Sequence, residues 1–311
     1  MSGASSGGTP PVVFLIFNRP DVTARVLAAI RAAKPAKLLV VADGPRPHKT
    51  GEAENVARTR ALIDTVDWDC EVLRNYSEVN LGCFRRVSSG LDWAFGLCEE
   101  AIVLEDDCLP DPTFFRYCGE LLERYRDDSR IGCVSGTNFQ FGRRRGSDSY
   151  YFSRYNHCWG WASWRRAWRH FDPAMRAWPA IRDDGRLKDI LGDGKAVRYW
   201  TAIYDAVAQN RIDSWAYRWT FAAWRESLLT VLPGVNLISN IGFSRDATHT
   251  RDEGRYAAMA VAPMAFPLRH PGFVVRDEAA DLYTQNTMFA SPGLPRRIVS
   301  RLLRTAGLRI G

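Results

Sequence analysis

The patterned part of the chain opens with an uninterrupted apolar run. Pro11 to Phe17 carries no polar side chain, as expected of a strand buried on both faces. Asp21 stands where a helix N-cap would, and Val22, Val26, Ile30 and Ala33 follow at helical spacing. Lys37 to Ala42 predicts a second strand, stopped by the turn signal Asp43-Gly44-Pro45-Arg46. The polar stretch 52–65 predicts a helix, and Glu71-Val72-Leu73 a short third strand. From Phe84 to Cys98 a helix is predicted, with Val87, Leu91, Ala94 and Phe95 on one face. Ala101 to Leu104 predicts the fourth strand, which ends in Glu105-Asp106-Asp107. Asp111 is placed to cap a helix starting at Pro112. Strand and helix alternate, which predicts a parallel sheet covered by helices, with right-handed crossovers.

Beyond residue 140 the periodicity is lost and tryptophans crowd in, from Trp159 to Trp224. This stretch predicts a second half packed against the same sheet. Residues 251–295 are rich in loops and proline. In 296–310, Val299, Leu302, Leu303, Ala306 and Ile310 fall on one helical face with arginines largely outside it, a basic amphipathic pattern suited to a membrane surface. The chain thus divides into a small polar tail (1–10) expected to be disordered, a first half (11–140), a second half (141–250) and an extension (251–311). No internal repeat is present.

Composition narrows the class. At 46% hydrophobic and 25% charged residues over 311 positions, the chain has the mix of a soluble globular protein. No apolar run approaches the ~18 residues of a membrane span. The net charge of +7 rests on an arginine excess, and five arginines lie in the last 16 residues. The remaining body is nearly neutral, which weakens a nucleic-acid reading, and no nucleic-acid partner is expected. Seven cysteines without a C-x-x-C pair point to reduced thiols and a cytoplasmic setting. The first ten residues lack the apolar core of a signal peptide.

Candidate chemistry gathers at the ends of predicted strands, where open parallel sheets bind ligands. Adjacent carboxylates at Glu105, Asp106 and Asp107 repel one another unless a cation offsets them. Strand geometry points Glu105 and Asp107 to one face and Asp106 to the other. Oxygen ligands of this kind suit Mg²⁺ or Mn²⁺ together with a substrate diphosphate, although an acidic turn before a helix has the same sequence. Asp43 and Arg46 lie on the same rim, suited to a ribose or base and to a phosphate, as do Asn18 and Arg19. Asn80-Leu81-Gly82 opens the third helix, whose N–H groups suit an anion. Trp159-Gly160-Trp161 reads either as a sugar-stacking wall or as aromatic core. Asp213 is a candidate general base. His249 is either a metal ligand or a structural hydrogen-bonder. G-x-S-x-G, Walker, G-x-G-x-x-G and H-E-x-x-H motifs are all missing.

Together the strand-end Asp43-Gly44, Asn80-Leu81-Gly82 and Val103-Leu104-Glu105-Asp106-Asp107, with Pro110 and Phe114-Phe115 after it, resemble glycosyltransferases of the GT-A fold. The similarity is greatest to the N-acetylglucosaminyltransferase I family and its bacterial relatives, over Val12 to about Thr250. The resemblance implies an α/β GT-A fold, a mostly parallel Rossmann-like sheet with helices on both faces. The first half would bind a nucleotide-sugar, UDP-linked, and the second a glycan or lipid-linked acceptor, in cell-surface polysaccharide synthesis with inversion. It implies that Asp107 holds a divalent cation (Mn²⁺ or Mg²⁺), to which the separate candidate His249 would add a ligand, and that Asp106 lies near the ribose. Asp43 would contact the uracil or ribose, and Glu105 would support the base or the cation's ligands; the rim residues Asn18, Arg19, Arg46 and Asn80 read above would then lie around the nucleotide. Trp159, Gly160 and Trp161 would line the acceptor. The family's base lies in a Trp-Asp-Asp-Trp stretch. Here Trp215-Ala216-Tyr217-Arg218-Trp219 stands instead, and Asp213 is the nearest carboxylate. The implied location is cytoplasmic, peripheral at the inner membrane face through 296–310. Two alternatives stand beside this: a non-catalytic carbohydrate or nucleotide binder on a degenerate transferase fold, and a sugar-nucleotide pyrophosphorylase.

Overall fold

The computed structural model describes residues 8–242, 256 and 259–289. The first half runs β1 (Val12–Ile16), α1 (Pro20–Ala33), β2 (Lys37–Ala42), α2 (Glu52–Ala61) with a closing 3-10 turn (Leu62–Thr65), β3 (Glu71–Tyr76), α3 (Gly82–Leu97), β4 (Glu100–Glu105), β5 (Cys108–Pro110), α4 (Thr113–Arg124) and β6 (Ile131–Ser135). There follow β7 (Tyr150–Ser153), β8 (Trp161–Trp164), the short α5 (Arg165–Trp168), α6 (Trp178–Asp183) and α7 (Leu187–Leu191), then α8 (Gly194–Ala208) and α9 (Trp215–Arg225). β9 (Leu229–Pro233), β10 (Ile238–Asn240) and α10 (Glu278–Thr284) with a π-helical turn (Gln285–Phe289) complete the described chain.

Eight strands form one sheet in the order β3-β2-β1-β4-β8-β6-β9-β7. β3, β2, β1 and β4 are parallel neighbours, as are β6 and β9, while β8 and β7 run antiparallel to their neighbours. The expected class, a mostly parallel α/β sheet with helices on both faces, is what the chain forms. Alternation along β1 sends its side chains to two cores. Val12, Phe14 and Ile16 pack with Val26, Leu27 and Ile30 of α1 and with Phe114 and Leu121 of α4. Val13 and Leu15 pack with Leu91, Ala94 and Phe95 of α3 and with Trp168, Trp215 and Trp219. A strand covered on both sides must be apolar throughout, which is why these strands read as continuous runs. A third, aromatic cluster joins α6, α8 and α9 through Trp178, Trp200, Tyr204, Phe221 and Trp224.

Several boundaries differ from expectation for identifiable reasons. Pro20, not a residue after Asp21, is the first helical position of α1, since its ring presets the helical φ and it needs no N–H bond there. β3 extends to Tyr76 because it is the sheet's edge and only half-buried, so its polar positions face water. Asp111 does hold the start of α4, accepting the Thr113 N–H at 2.9 Å. Strands from both sides of residue 140 share the sheet, so the tryptophan-rich half extends it as well as covering it. β5 and β10, absent from the sequence reading, form a two-stranded antiparallel pair beside the end of β4. Of the tail expected over 1–10, the described end is tied down: the Thr9 hydroxyl donates to the Ala33 carbonyl at 2.6 Å. The helix expected at 296–310 lies outside the described residues. No helix among them is long and apolar enough to cross a membrane.

Candidate functional site

The strand order locates a crevice. From β1 the chain steps outward through β2 to β3, then returns to place β4 on the other side of β1. Connections diverge at that point, so the carboxyl ends of β1 and β4 flank the crevice at which such sheets usually bind ligands. Phe17-Asn18-Arg19, between β1 and α1, forms one wall. Glu105-Asp106-Asp107, where β4 stops, forms the other.

Across this cleft the Arg19 guanidinium pairs with Asp106 and lies 3.1 Å from Asp107 Oδ2. The Phe17 N–H donates to Asp106 Oδ2 at 3.2 Å, and the Cys108 thiol to Asp107 Oδ1 at 3.4 Å. Asp106 and Asp107 therefore face the same partner. The expected pairing of Glu105 with Asp107 does not hold, because β4 ends at Glu105 and strand alternation does not continue through the turn. Glu105 follows Val103 toward the α3 side. Among the described residues nothing hydrogen-bonds its carboxyl. Burial, then Asp107 and Asp106, push that carboxyl up to about 8. Burial also raises Asp106, against the pull of Arg19, whose guanidinium favours its charged form. Arg19 is held more firmly charged: burial opposes this, but Asp106 and Asp107 outweigh it.

The N-terminus of α3 is filled by the protein's own carboxylates. Asp43 accepts the N–H groups of Gly44, Leu81 and Gly82 at 2.9, 2.9 and 3.0 Å. Asp213 accepts those of Cys83 and Phe84 at 3.2 and 3.1 Å. The anion site expected at Asn80-Leu81-Gly82 is thus occupied from within. Asn80 does not face a ligand but donates to the Gly44 carbonyl at 2.8 Å, tying this loop to the end of β2. Gly82 adopts φ +79°, and a Cβ there would stand 3.1 Å from Asp213 Oδ2. Cys83 lies amid these acids: burial raises its thiol well above its ordinary value, and Glu105, Asp213, Asp43 and Asp107 add to the rise. Four carboxylates from three chain segments thus act on one place.

Asn18 and Arg46 are brought together by Glu52, which the sequence reading missed. Asn18 Nδ2 donates to Glu52 Oε1 at 2.9 Å, and the Arg46 N–H and Nε donate to Oε2 at 2.7 and 2.9 Å. Burial pushes the Glu52 carboxyl up, but Arg46 and Asn18 outweigh it and hold it below its ordinary value. An acid in the first turn of a polar helix is ordinary, so the sequence carried little signal for this role.

The expected acceptor wall needs correction. Trp161 is fully buried and stacks on Trp215 at 5.7 Å, with Trp168 and Trp219 beside it, so it is core and offers no face to a ligand. Gly160 has φ +61° and packs against Ile238, where a Cβ would come within 2.4 Å; it permits close packing rather than ligand approach. Trp159 alone of the three is half-buried, with Phe139 edge-on at 5.2 Å. Beside it His157 was overlooked. It is buried, edge-on to Phe139 at 4.6 Å, and its Nε2 has no hydrogen-bond partner among the described residues. Burial lowers it to about 3, so the ring is neutral. His249 lies outside the described residues.

The residues present do not make a metal centre on their own. No group of three or more His, Cys, Asp or Glu side chains is arranged to hold a metal among the described residues. Every oxygen of Asp106 and Asp107 already has a donor. What the pair resembles is the sparser arrangement in which one carboxylate and the substrate's phosphates share a cation, and Asp107 fits it only when Arg19 yields Oδ2. A separate groove of about 490 Å³ at the amino ends of the strands is lined by Arg31, Lys34, Asp67, Trp68 and Asp69. Arg31 and Asp67 pair across it, and none of the rim residues reaches it.

No family model matches the chain, and no curated protein does. Among solved structures, a 4-diphosphocytidyl-2C-methyl-D-erythritol synthase from Anaerococcus prevotii is similar at 9% identity and a TM-score of 0.31, over 60% of this chain and 86% of that one. At that score it adds nothing to the fold described above.

Proposed function

We propose that the chain is a glycosyltransferase of the GT-A type that uses a nucleotide-diphosphate sugar, UDP-linked, and passes the sugar to a glycan or lipid-linked acceptor. One observation carries this reading: Arg19 and the acidic turn meet across the cleft between β1 and β4, where the strand order reverses. A nucleotidyl-transferring pyrophosphorylase fits less well. α1 begins at Pro20, three residues after Phe17, so no glycine-rich loop is available there to wrap a triphosphate.

In this reading the Asn18–Glu52–Arg46 network and Asp43 shape the nucleoside end of the cleft, and Arg19 faces the diphosphate with a fork suited to phosphate oxygens. A divalent cation held at Asp107, if bound with the nucleotide, would neutralise charge on the leaving diphosphate. The acceptor hydroxyl must lose a proton as it attacks. Of the two candidate carboxylates, Asp213 is engaged as the cap of α3, whereas Glu105 accepts no hydrogen bond among the described residues and faces the α3 side of the cleft. The base role is therefore assigned to Glu105, and Asp213 positions α3. Trp159 remains as the aromatic element of the acceptor side.

The test is nucleotide release from a panel of nucleotide-diphosphate sugars, with and without Mn²⁺, in the presence of simple glycoside acceptors. Release of UDP from a UDP-sugar supports the reading. Formation of a nucleoside triphosphate from the sugar nucleotide and pyrophosphate would establish nucleotidyl transfer instead, and no turnover or binding of any nucleotide would refute both.

A further inference from the structure

The acidic turn is closed by a cation of the protein's own. Arg19 pairs with Asp106 and reaches Asp107 Oδ2, while Phe17 and Cys108 take the remaining two oxygens. Gly242 completes the enclosure. A Cβ at that position would lie 2.3 Å from Asp107 Oδ2 and 2.4 Å from Arg19 Nη1, so its backbone sits directly over the pair. The backbone is held there: the Ile241 N–H donates to the Asp107 carbonyl at 2.8 Å, and the Gly242 N–H to Asn240 Oδ1 at 2.9 Å. Charge does not balance in this arrangement, because one guanidinium faces two carboxylates. A nucleoside diphosphate arriving beside it would add further negative charge that Arg19 cannot offset alone. Of the three side chains Arg19 is the one with a way out: 24% of it is exposed, against 4% of Asp106 and 9% of Asp107.

We propose that Arg19 is an exchangeable plug. It keeps Asp107 closed to divalent cations until a nucleoside diphosphate enters the cleft. Phosphate oxygens then take over the guanidinium, whose planar fork suits phosphate as well as carboxylate. Asp107 Oδ2 is thereby released to a cation that enters with the nucleotide. The proposal rests on the nucleotide-binding reading above. Its consequence is reciprocal coupling: nucleotide raises cation affinity, and cation raises nucleotide affinity by the same factor.

The experiment follows free Mn²⁺ by electron paramagnetic resonance during titration of the full chain, alone and with saturating UDP. Arg19→Met and Arg19→Lys are run in parallel, with circular dichroism and thermal melts to verify folding. Wild type is expected to bind Mn²⁺ at least about 10-fold more tightly with UDP than without, within the usual range of coupling between sites. Arg19→Met, which keeps the aliphatic stem but leaves two uncompensated carboxylates, is expected to bind Mn²⁺ without UDP. Arg19→Lys, which keeps the charge but not the fork, is expected to keep Asp107 closed without UDP and to show a smaller gain in Mn²⁺ affinity with it than wild type. Wild type that binds Mn²⁺ equally well with and without UDP overturns the proposal, and that arm stands even when a variant fails to fold. A folded Arg19→Met with no gain in Mn²⁺ affinity overturns it as well. UDP that binds no form, with or without Mn²⁺, refutes the nucleotide reading and the handover with it. The Arg19→Met gain, measured without UDP, still reports separately whether Arg19 blocks the cation.

Discussion

Replacing Trp161 by alanine separates an indole that meets a ligand from one that holds the sheet together. Trp161 opens β8, the strand that joins β4 to β6, and pairs with Val103 and Ser135. Its side chain is fully buried, stacked on Trp215 and flanked by Trp168 and Trp219. Truncating a buried tryptophan to alanine costs about 3–5 kcal/mol through lost transfer energy and the cavity left behind. The indole Nε1 has no hydrogen-bond partner among the described residues, so its removal strands no polar group there, which points to the lower half of that range. At about 2 °C per kcal/mol for a chain this long, the melting temperature should fall by roughly 6–8 °C. Trp161→Phe, which refills part of the cavity, should recover about half of the loss. The assay is a thermal melt paired with urea unfolding. A Trp161→Ala protein that melts with wild type but needs much more acceptor would refute the reasoning and return Trp161 to the acceptor wall.

Other outcomes follow from the same geometry. Glu105→Gln should cut turnover by about 10²- to 10⁴-fold, whereas Asp213→Asn should cost less than about 10-fold; the reverse ranking would show Asp213 to be the base. Glu105 titrates higher folded than its ordinary 4.5, so its contribution to stability is complete below that pH and lost as pH rises through about 8. Urea unfolding at pH 6 and 8.5 should show wild type losing on the order of 1–2 kcal/mol relative to Glu105→Gln, since contact with the cleft's water moderates the effect. His157 titrates lower folded, at about 3 against 6.5, so its contribution is present above pH 6.5 and lost as pH falls toward 3. At pH 4.5 this amounts to roughly 2–3 kcal/mol, and His157→Leu should flatten the acid limb of a denaturant-midpoint profile. Asp213→Ala, which strips two N–H groups of their acceptor, should destabilise by about 1–2 kcal/mol in the same measurement.

The first half was legible because its physics is local. β1, β2 and β4 lie between two helix layers, so burial on both faces leaves a continuous apolar run in each, and the polar residue that ends the run marks the rim. Glu105-Asp106-Asp107 was found for that reason. The direction of its side chains was not, because the rule of alternation stops where the strand does. Arg19 was placed on the rim from its position after β1, but its union with the acidic turn depends on β4 lying beside β1, which no local pattern encodes. The tryptophan-rich half misled for a different reason. Trp161 and Trp159 are two residues apart and alike in composition, yet one lies between sheet and helix and the other at the rim. Only the antiparallel insertion of β8 decides which is which. Glu52, Cys83 and His157 left almost no trace, since each is an ordinary residue in an ordinary local setting. Their roles come from neighbours distant in sequence: Asn18 and Arg46 for Glu52, Asp213 and Glu105 for Cys83, Phe139 for His157.

The central claim is that the cleft between the carboxyl ends of β1 and β4 is a nucleotide-diphosphate site. Hydrogen–deuterium exchange of the full chain with and without UDP and Mn²⁺ tests it most directly, because it reports where the nucleotide lies without requiring the sugar or the acceptor to be known. Protection is expected in peptides covering Phe17–Arg19, Asp43–Arg46 and Glu105–Cys108, with none in those covering Asp67–Asp69. Protection at the Arg31–Trp68 groove instead, or unchanged exchange at the three rim segments at a UDP concentration shown to saturate binding, would contradict it.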